Sequence, residues 1–483
     1  MKDALAYILF FSYFILLVGF GELLQRAFKV NPEIVRKIQH ILTAPCWLIL
    51  YLTTGASIHA VIICAVGTVG LAFVTFSHFF KAVAREDSNN YGVFYFGLSA
   101  TIATLLCFLF FPEQYYIVGI TYFSLSIADG FAPITAMLCK KFNRNIREGK
   151  SVIGCLTVLL LAFAVIVAFN YIFKAQYTYL LMVSYACLFM IAEYYGYKGL
   201  DNLFTVLIGL GYLLLELYGL NNMALAIGIL VFPLILIFNM FKKSLTEGGL
   251  FAAACVVLIS AYFGGLVMLI GYVSLFAANA LIVGIVKHIL RKKGRDIEKS
   301  KPRKAKQIIA NSLISCVLSI LFFFLENPIF LLAAIAVLVE EFSDSMASDI
   351  GRYQKRNPID IIRFKRIESG LSGGVSLLGT TVALLSCFAG CAFIFMTSDN
   401  NVIKYIVLSG VAFFGVFVDS IFGSLLQNKN ECVVCGKITE KDVHCDQKTV
   451  HKSGVPFISN SLVNLMTSIV IGGAALLVLY FVF

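Results

Sequence analysis

The strongest constraint on this chain is the alternation of apolar runs with short charged loops. Runs of ~17–25 residues, the length that crosses a bilayer, number about sixteen, several of them short. The expected fold class is therefore all-α, a polytopic transmembrane protein in two fused helical units, 1–241 and 242–483. Composition agrees: of 483 residues, 60% are hydrophobic and 13% charged, with mean hydropathy +0.89, which excludes an ordinary soluble globule. Forty-four Phe against one Trp suit lipid-facing helices. The run at 7–20 could pass for a signal peptide, but Gly21-Glu22 lacks the small-x-small cleavage pattern, so it reads as a retained span.

Charge placement gives the orientation. If the loop at 29–37 is cytoplasmic and the chain alternates sides, the inner segments are 25–37, 81–85, 139–150, 193–201, 242–247, 287–306, 344–371 and 427–455. These hold 35 of the 38 Lys and Arg; only Lys2, Lys174 and Lys404 lie elsewhere. Such a positive-inside pattern puts the loops on the cytoplasmic face and both termini on the other. The net charge of +11 thus encodes topology, and nucleic-acid binding is not expected. The thirteen cysteines are mostly single residues within spans and form no disulfide framework.

In the first half, Arg36, Lys37 and His40 in NPEIVRKIQHIL lie where a helix meets the headgroups. They read either as interfacial anchors or as contacts to a nucleotide or lipid phosphate. Asp129 ends an apolar run, where an acid needs a cation or water partner. Five Lys or Arg follow in 139–150, and then Lys150, Ser151 and Gly154 open the next helix. Glu193 and Asp201 sit at the inner ends of neighbouring spans; Asp201 could equally be a helix N-cap.

The second half has a fuller pattern. The polybasic loop 287–306 is mainly a topology and anionic-lipid determinant, although Arg303, Gln307 and Asn311 could face a cavity. In EEFSDSMASDIG, a helix would put Glu341, Asp344 and Ser348 on one face and bring Glu340 near Asp344. Such carboxylates repel one another unless a divalent cation compensates them. Mg²⁺ uses one or two carboxylates plus substrate phosphates and water, so Asp344 with Asp349 or Glu341 could hold it. Arg363, Lys365 and Arg366 could neutralise phosphate, and the run Ser369, Gly370, Gly373, Gly374 could open a helix whose free N–H groups hold an anion. Asp419 is another acid at the membrane edge. Cys432, Cys435, His444 and Cys445 could form a Cys₃His zinc clip or remain plain reduced thiols. Asn460 and Asn464, four apart, read as cavity amides or as caps. Asp129 to Lys150 and Asp344 to Lys365 both span 21 residues, which hints at a distant duplication.

R-K-x-x-H at 36–40, A-D-G-x-A at 128–132, K-S-x-x-G at 150–154 and the later E…D-N resemble the phytol kinase and dolichol kinase family over about 30–215. That family's membrane enzymes use CTP to phosphorylate long isoprenoid alcohols. This chain departs from the family's pattern at Pro133, Ala136 and Asn143. D-S-x-A-S-D-I-G, S-G-x-x-G-G-V-S-x-x-G-T, D-S-x-x-G-S-x-x-Q, C-x-x-C…H-C and N-x-x-x-N resemble the integral membrane family containing the plant phytyl-phosphate kinase, over about 242–483.

The resemblance implies two successive phosphoryl transfers, from isoprenoid alcohol to isoprenyl monophosphate and then to diphosphate. CTP or another nucleoside triphosphate would be donor, with Mg²⁺ and membrane lipid as further partners. Asp129 is the expected catalytic acid or metal ligand of the first site, with Glu193 and Asp201. Asp344, Asp349 and Asp419 are expected in the second. The alternatives are a CTP-dependent cytidylyltransferase of the CDP-diacylglycerol synthase kind and a transporter lined with acids.

Overall fold

A computed structural model describes residues 2–77, 91–147, 150–196, 199–293, 302–354, 356–399 and 401–482. Lipid offers no hydrogen-bond partners, so apolar runs satisfy their backbone groups as helices, and strands occur only in the loops. Among the described residues, eleven helices are long and apolar enough to cross a membrane.

Residues Met1–Asn221 with Ile229–Pro233 form one compact unit, and Asn222–Gly228 with Leu234–Phe483 the other. The first contains α1 (Lys2–Arg26), α2 (Pro32–Ile41), α3 (Ala44–Thr53), α4 (Ile58–Ser77), α5 (Gly92–Phe110), α6 (Tyr116–Phe123), α7 (Gly130–Leu138), α8 (Val152–Phe173), α9 (Tyr179–Tyr195) and α10 (Asp201–Leu217). The paired strands β1 (Asn145–Arg147) and β2 (Lys150–Ser151) precede α8. A π-helical turn, Ser124–Asp129, joins α6 to α7. The chain's one tryptophan, Trp47, lies in the core against Tyr115, Phe123 and Phe169.

α11 (Met223–Lys242) leads into the second unit, followed by α12 (Glu247–Lys292), α13 (Ala305–Leu325), α14 (Pro328–Gly351), α15 (Leu377–Cys391), α16 (Val402–Leu425) and α17 (Asn460–Val482). Two strands, β3 (Ile359–Asp360) and β4 (Gly374–Val375), pair before α15. Five short strands lie between α16 and α17: β5 (Lys429–Glu431), β6 (Ile438–Thr439), β7 (Val443–His444), β8 (Gln447–Lys448) and β9 (Val450–Ser453). α14 is the central helix, and its residues 331–339 are buried on every side, as expected of a helix that is apolar all round.

α12 explains part of the gap between eleven long helices and the expected sixteen spans. It is a hairpin. Gly265 takes φ 70° and ψ −164°, a region essentially reserved for glycine. Thr246 at its start bonds Arg303, Tyr262 and Phe263 pack against Phe323 near the far end of α13, and Tyr272 then reaches back to Ser315. The chain climbs along α13 and returns. The other short spans are α9 and α10, of 17 residues each, and the broken pair α2–α3. α14 is long enough to cross, but it carries four acids, Glu340, Glu341, Asp344 and Asp349.

The two units repeat one packing order. α8 contacts α7 and α9, and α10 contacts α5 and α9; likewise α15 contacts α14 and α16, and α17 contacts α13 and α16. The helix starts correspond in detail. The Ser151 hydroxyl accepts the Gly154 N–H at 3.2 Å, and Ser376 accepts that of Gly379 at 3.1 Å. A Cβ on Gly154 would lie 3.6 Å from the Ala132 carbonyl, and one on Gly379 3.4 Å from that of Ala347. Those alanines stand three residues after Asp129 and Asp344, which makes the two acids equivalent. The equal spacing of 21 residues misplaces the rest, however: Lys150, just before Ser151, corresponds to Val375 and not to Lys365.

Candidate functional site

In the first unit the expected acids and expected cations have found each other. Lys37 Nζ lies 3.0 Å from each Asp129 carboxylate oxygen and 3.3 Å from the Asp129 carbonyl. The carbonyl is free to accept because residue 133 is proline and has no N–H to donate to it along the helix. His40 Nε2 is 3.4 Å from Asp129 Oδ2. Lys150 bridges Glu193 and Asp201, the latter at 3.1 Å. Burial alone would lower the Lys150 pKa, yet the two carboxylates and Asp129 raise it. Arg36 pairs with Glu33 at 2.5 Å. Ser151 and Asn143 occupy the first N–H groups of α8. The cation partner expected for Asp129 is thus Lys37, and Glu193 and Asp201 share Lys150, so a phosphate or Mg²⁺ at these residues would have to displace one of these pairs.

The second unit is built the other way. Glu340 and Glu341 are buried at the middle of α14, Asp344 lies one turn below, and Asp419 projects from α16. Glu341 accepts a hydrogen bond from Ser468 at 2.6 Å and Asp419 one from Thr467 at 3.5 Å, so the two acids meet neighbouring residues of α17. Asp344 repels both Glu341 and Asp419 electrostatically. Among the described residues, none of these four acids makes an ion pair; Arg303 is the cation whose charge reaches Glu341 and Asp344. Glu340 Oε2 and Asn464 Oδ1 are buried without partners. Asn464 bonds Asn311 at 3.3 Å, which brings α13 to the same place. Gln307 instead caps its own helix, and Asn460 is exposed.

Two expectations are corrected here. Asp349 pairs with Arg352 at 3.3 Å, although its charge still acts on Asp344. The glycine run does not open a helix: Gly374 belongs to β4, and α15 begins after Ser376, its first N–H groups taken by Ser376 and Gln354. The glycines serve close packing, since a Cβ on Gly373 (φ +89°) would lie 2.6 Å from Ser424 Cβ. The Ser372 N–H is given to Glu440 at 2.7 Å, and Ser369 donates to the Arg352 carbonyl. Gly370 turns the chain at φ +96°.

The sequence reading missed Asp360. This buried acid accepts hydrogen bonds from the Ile362 and Arg363 N–H groups and from the Ser424 hydroxyl, pinning the 359–375 loop to the end of α16. Burial would raise its pKa, but these bonds hold the carboxyl below its ordinary value. Its signal was the alternation Ile359-Asp360-Ile361 ahead of the glycines. Arg363, Lys365 and Arg366 are exposed on this loop, where phosphate can reach them.

Cys432, Cys435, His444 and Cys445 converge, their four ligand atoms all within 4.8 Å of one another. The Cys435 N–H bond holds the Cys432 thiol down to about 6, while hydrogen bonding with Cys435 pushes Cys445 up to about 11. Among the described residues, this is the one such group of three or more possible metal ligands.

No solved structure matches the chain. A protein of Methanocaldococcus jannaschii named "Uncharacterized membrane protein MJ0933" is 29% identical over 195 residues, which cover 39% of this chain and 79% of that protein. Residues 230–472, half of the chain, match a family described as integral membrane protein DUF92. The region takes in nearly the whole second unit, with α14, α16 and the unpaired acids. The chain belongs to the integral membrane protein DUF92 family.

Proposed function

We propose that this protein is a membrane-embedded phosphotransferase that converts an isoprenoid alcohol to its monophosphate in the first unit and the monophosphate to the diphosphate in the second. The observation that carries this is the set of unpaired carboxyl groups on α14 and α16. A carboxylate at a bilayer centre costs ~2.5–3.5 kcal/mol on insertion scales, and four neighbours without a counter-ion repel one another as well. A ligand that brings positive charge resolves both problems.

The donor set suits Mg²⁺. Two or three carboxylates with a partnerless amide oxygen leave coordination positions for water and phosphate, which is how Mg²⁺ is usually held. Glu341, Asp344 and Asp419 would hold it, and the ion would supply charge neutralisation at the phosphates of a nucleoside triphosphate. Arg303, Arg363, Lys365 and Arg366 would draw the anionic substrates to the same end of the unit. With so little covalent chemistry for the protein to perform, positioning and charge account for most of the rate.

In the first unit, a small apolar pocket is lined by Phe10, Trp47, Phe96 and Tyr122, with Thr43 among them. The His40 ring lies against Phe96, centroids 4.8 Å apart, so an isoprenoid tail there would bring its hydroxyl toward His40 and Asp129. Asp129 would take the hydroxyl proton. Phosphate would then have to replace a carboxylate on Lys37 or Lys150.

The full-length protein, incubated with CTP, Mg²⁺ and either geranylgeraniol or its monophosphate, should yield phospholipid and CDP from both. Pyrophosphate with a CDP-lipid would indicate a cytidylyltransferase instead. No lipid phosphate from either substrate would sink the proposal. A transporter remains a second reading because Glu340 and Glu341 lie halfway along α14, deeper than the cytoplasmic rim expected from sequence. Substrate flux into vesicles without nucleotide turnover would favour it.

A further inference from the structure

Between α16 and α17 the chain forms a small β-structure whose order has no apolar explanation. β5 pairs with β6 and β9, and β7 with β8, yet of residues 432–450 only Cys432 is buried. Val433, Val434, Ile438 and Val443 all face outward. A segment this small cannot hold itself by burial and ordinarily needs a metal or disulfides. The thirteen cysteines are all free, which removes the second option.

Cys432, Cys435, His444 and Cys445 instead turn toward one another, their ligand atoms all within 4.8 Å, and the close edges have the lengths of a tetrahedral site. With Zn–S near 2.3 Å and Zn–N near 2.0–2.1 Å, the edges of such a site are roughly 3.8 Å for S···S and 3.5 Å for S···N. Cys435 Sγ lies 3.8 Å from Cys445 Sγ and 3.5 Å from His444 Nδ1, and Cys445 Sγ lies 3.2 Å from His444 Nδ1. The backbone cooperates. Cys432 and Gly436 close a tight turn in which the Gly436 N–H bonds the Cys432 carbonyl at 2.9 Å, with Gly436 at φ +69°. Cys445 and Asp446 take left-handed conformations, φ 51° and 59°, which carry the second pair of ligands back toward the first.

We propose that these four residues bind one zinc ion, and that the ion fixes the 432–450 segment so that Glu440 anchors the glycine loop at Ser372. Glu440 lies between the two ligand pairs, and its carboxylate accepts the Ser372 N–H. The loop it holds packs through Gly373 on Ser424, which in turn holds Asp360. The metal acts on the loop through Glu440 and touches no substrate. On binding, the thiols give up their protons to solvent as their sulfurs become ligands. This inference is independent of the phosphotransferase reading.

Full-length protein, purified in detergent without a metal-affinity tag, should carry one zinc per chain by elemental analysis. Cys435→Ser/Cys445→Ser should carry none. Should that variant fail to fold, exchange of the wild-type metal for Co²⁺ should still give the intense visible bands of a tetrahedral thiolate site. Stripping the metal with a chelator should speed hydrogen exchange at residues 370–374. Protein with neither zinc nor a tetrahedral Co²⁺ spectrum overturns the site. Bound zinc whose removal leaves exchange at Ser372 unchanged overturns the anchoring role.

Discussion

Asp344→Asn abolishes phosphorylation of the isoprenyl monophosphate, leaves that of the alcohol intact and does not lower the unfolding temperature. Asp344 stands among Glu340, Glu341 and Asp419 with no ion-pair partner among the described residues. Neutralising it relieves repulsion within the group, so stability holds or rises. It also removes a ligand that developing charge needs, a loss on the scale of about 10²–10³-fold, as for one preorganised stabilising group. The test is product analysis by substrate, together with thermal unfolding in detergent. Loss of both transfers, or of neither, would break the division of labour between the units. Loss of activity with a large fall in stability would make Asp344 a packing residue.

Lys150→Met has the opposite signature, a large loss of stability. Lys150 is the counter-ion of both Glu193 and Asp201, and the side chains of all three are less than 20% exposed. Removing one partner of a buried pair leaves uncompensated charge and costs about 3–5 kcal/mol, or roughly 6–20 °C in the unfolding midpoint for a unit of this size. Lys150→Arg keeps the charge and should recover most of the loss. Adding Glu193→Gln and Asp201→Asn to Lys150→Met should recover part of it by removing the stranded charges. If Lys150→Met unfolds at the wild-type temperature, the lysine is not held as described and is free for phosphate.

These two outcomes also mark where sequence was a sufficient guide. Helices were legible because lipid leaves an apolar run no other structure, and the basic segments fall at the helix ends α1, α7, α9 and α16. Ser151 could be placed at a helix start because capping is local, and the group Cys432, Cys435, His444 and Cys445 because C-x-x-C and H-C are short patterns. The ionic pairings could not be read: Lys37 and Asp129 are 92 residues apart, and Lys150 and Asp201 are 51. Asp349 went astray because Arg352, one helical turn away, competes for it. The glycine run misled because glycine serves both free N–H groups and close packing, and only the neighbour, here Ser424, decides between them. Two spans between 247 and 287 follow from the alternation of sides, but Gly265 as their turn could not be read because the apolar limbs run on without a polar break.

What everything turns on is whether the unpaired acids of α14 and α16 are a cation site. A cryo-EM map of the full chain with Mn²⁺ and a non-hydrolysable CTP analogue addresses that directly. The account predicts metal density between Glu341, Asp344 and Asp419, with the triphosphate beside it. Nucleotide and metal bound only at Asp129, or a map in which the acids of α14 and α16 contact no ion, would contradict it.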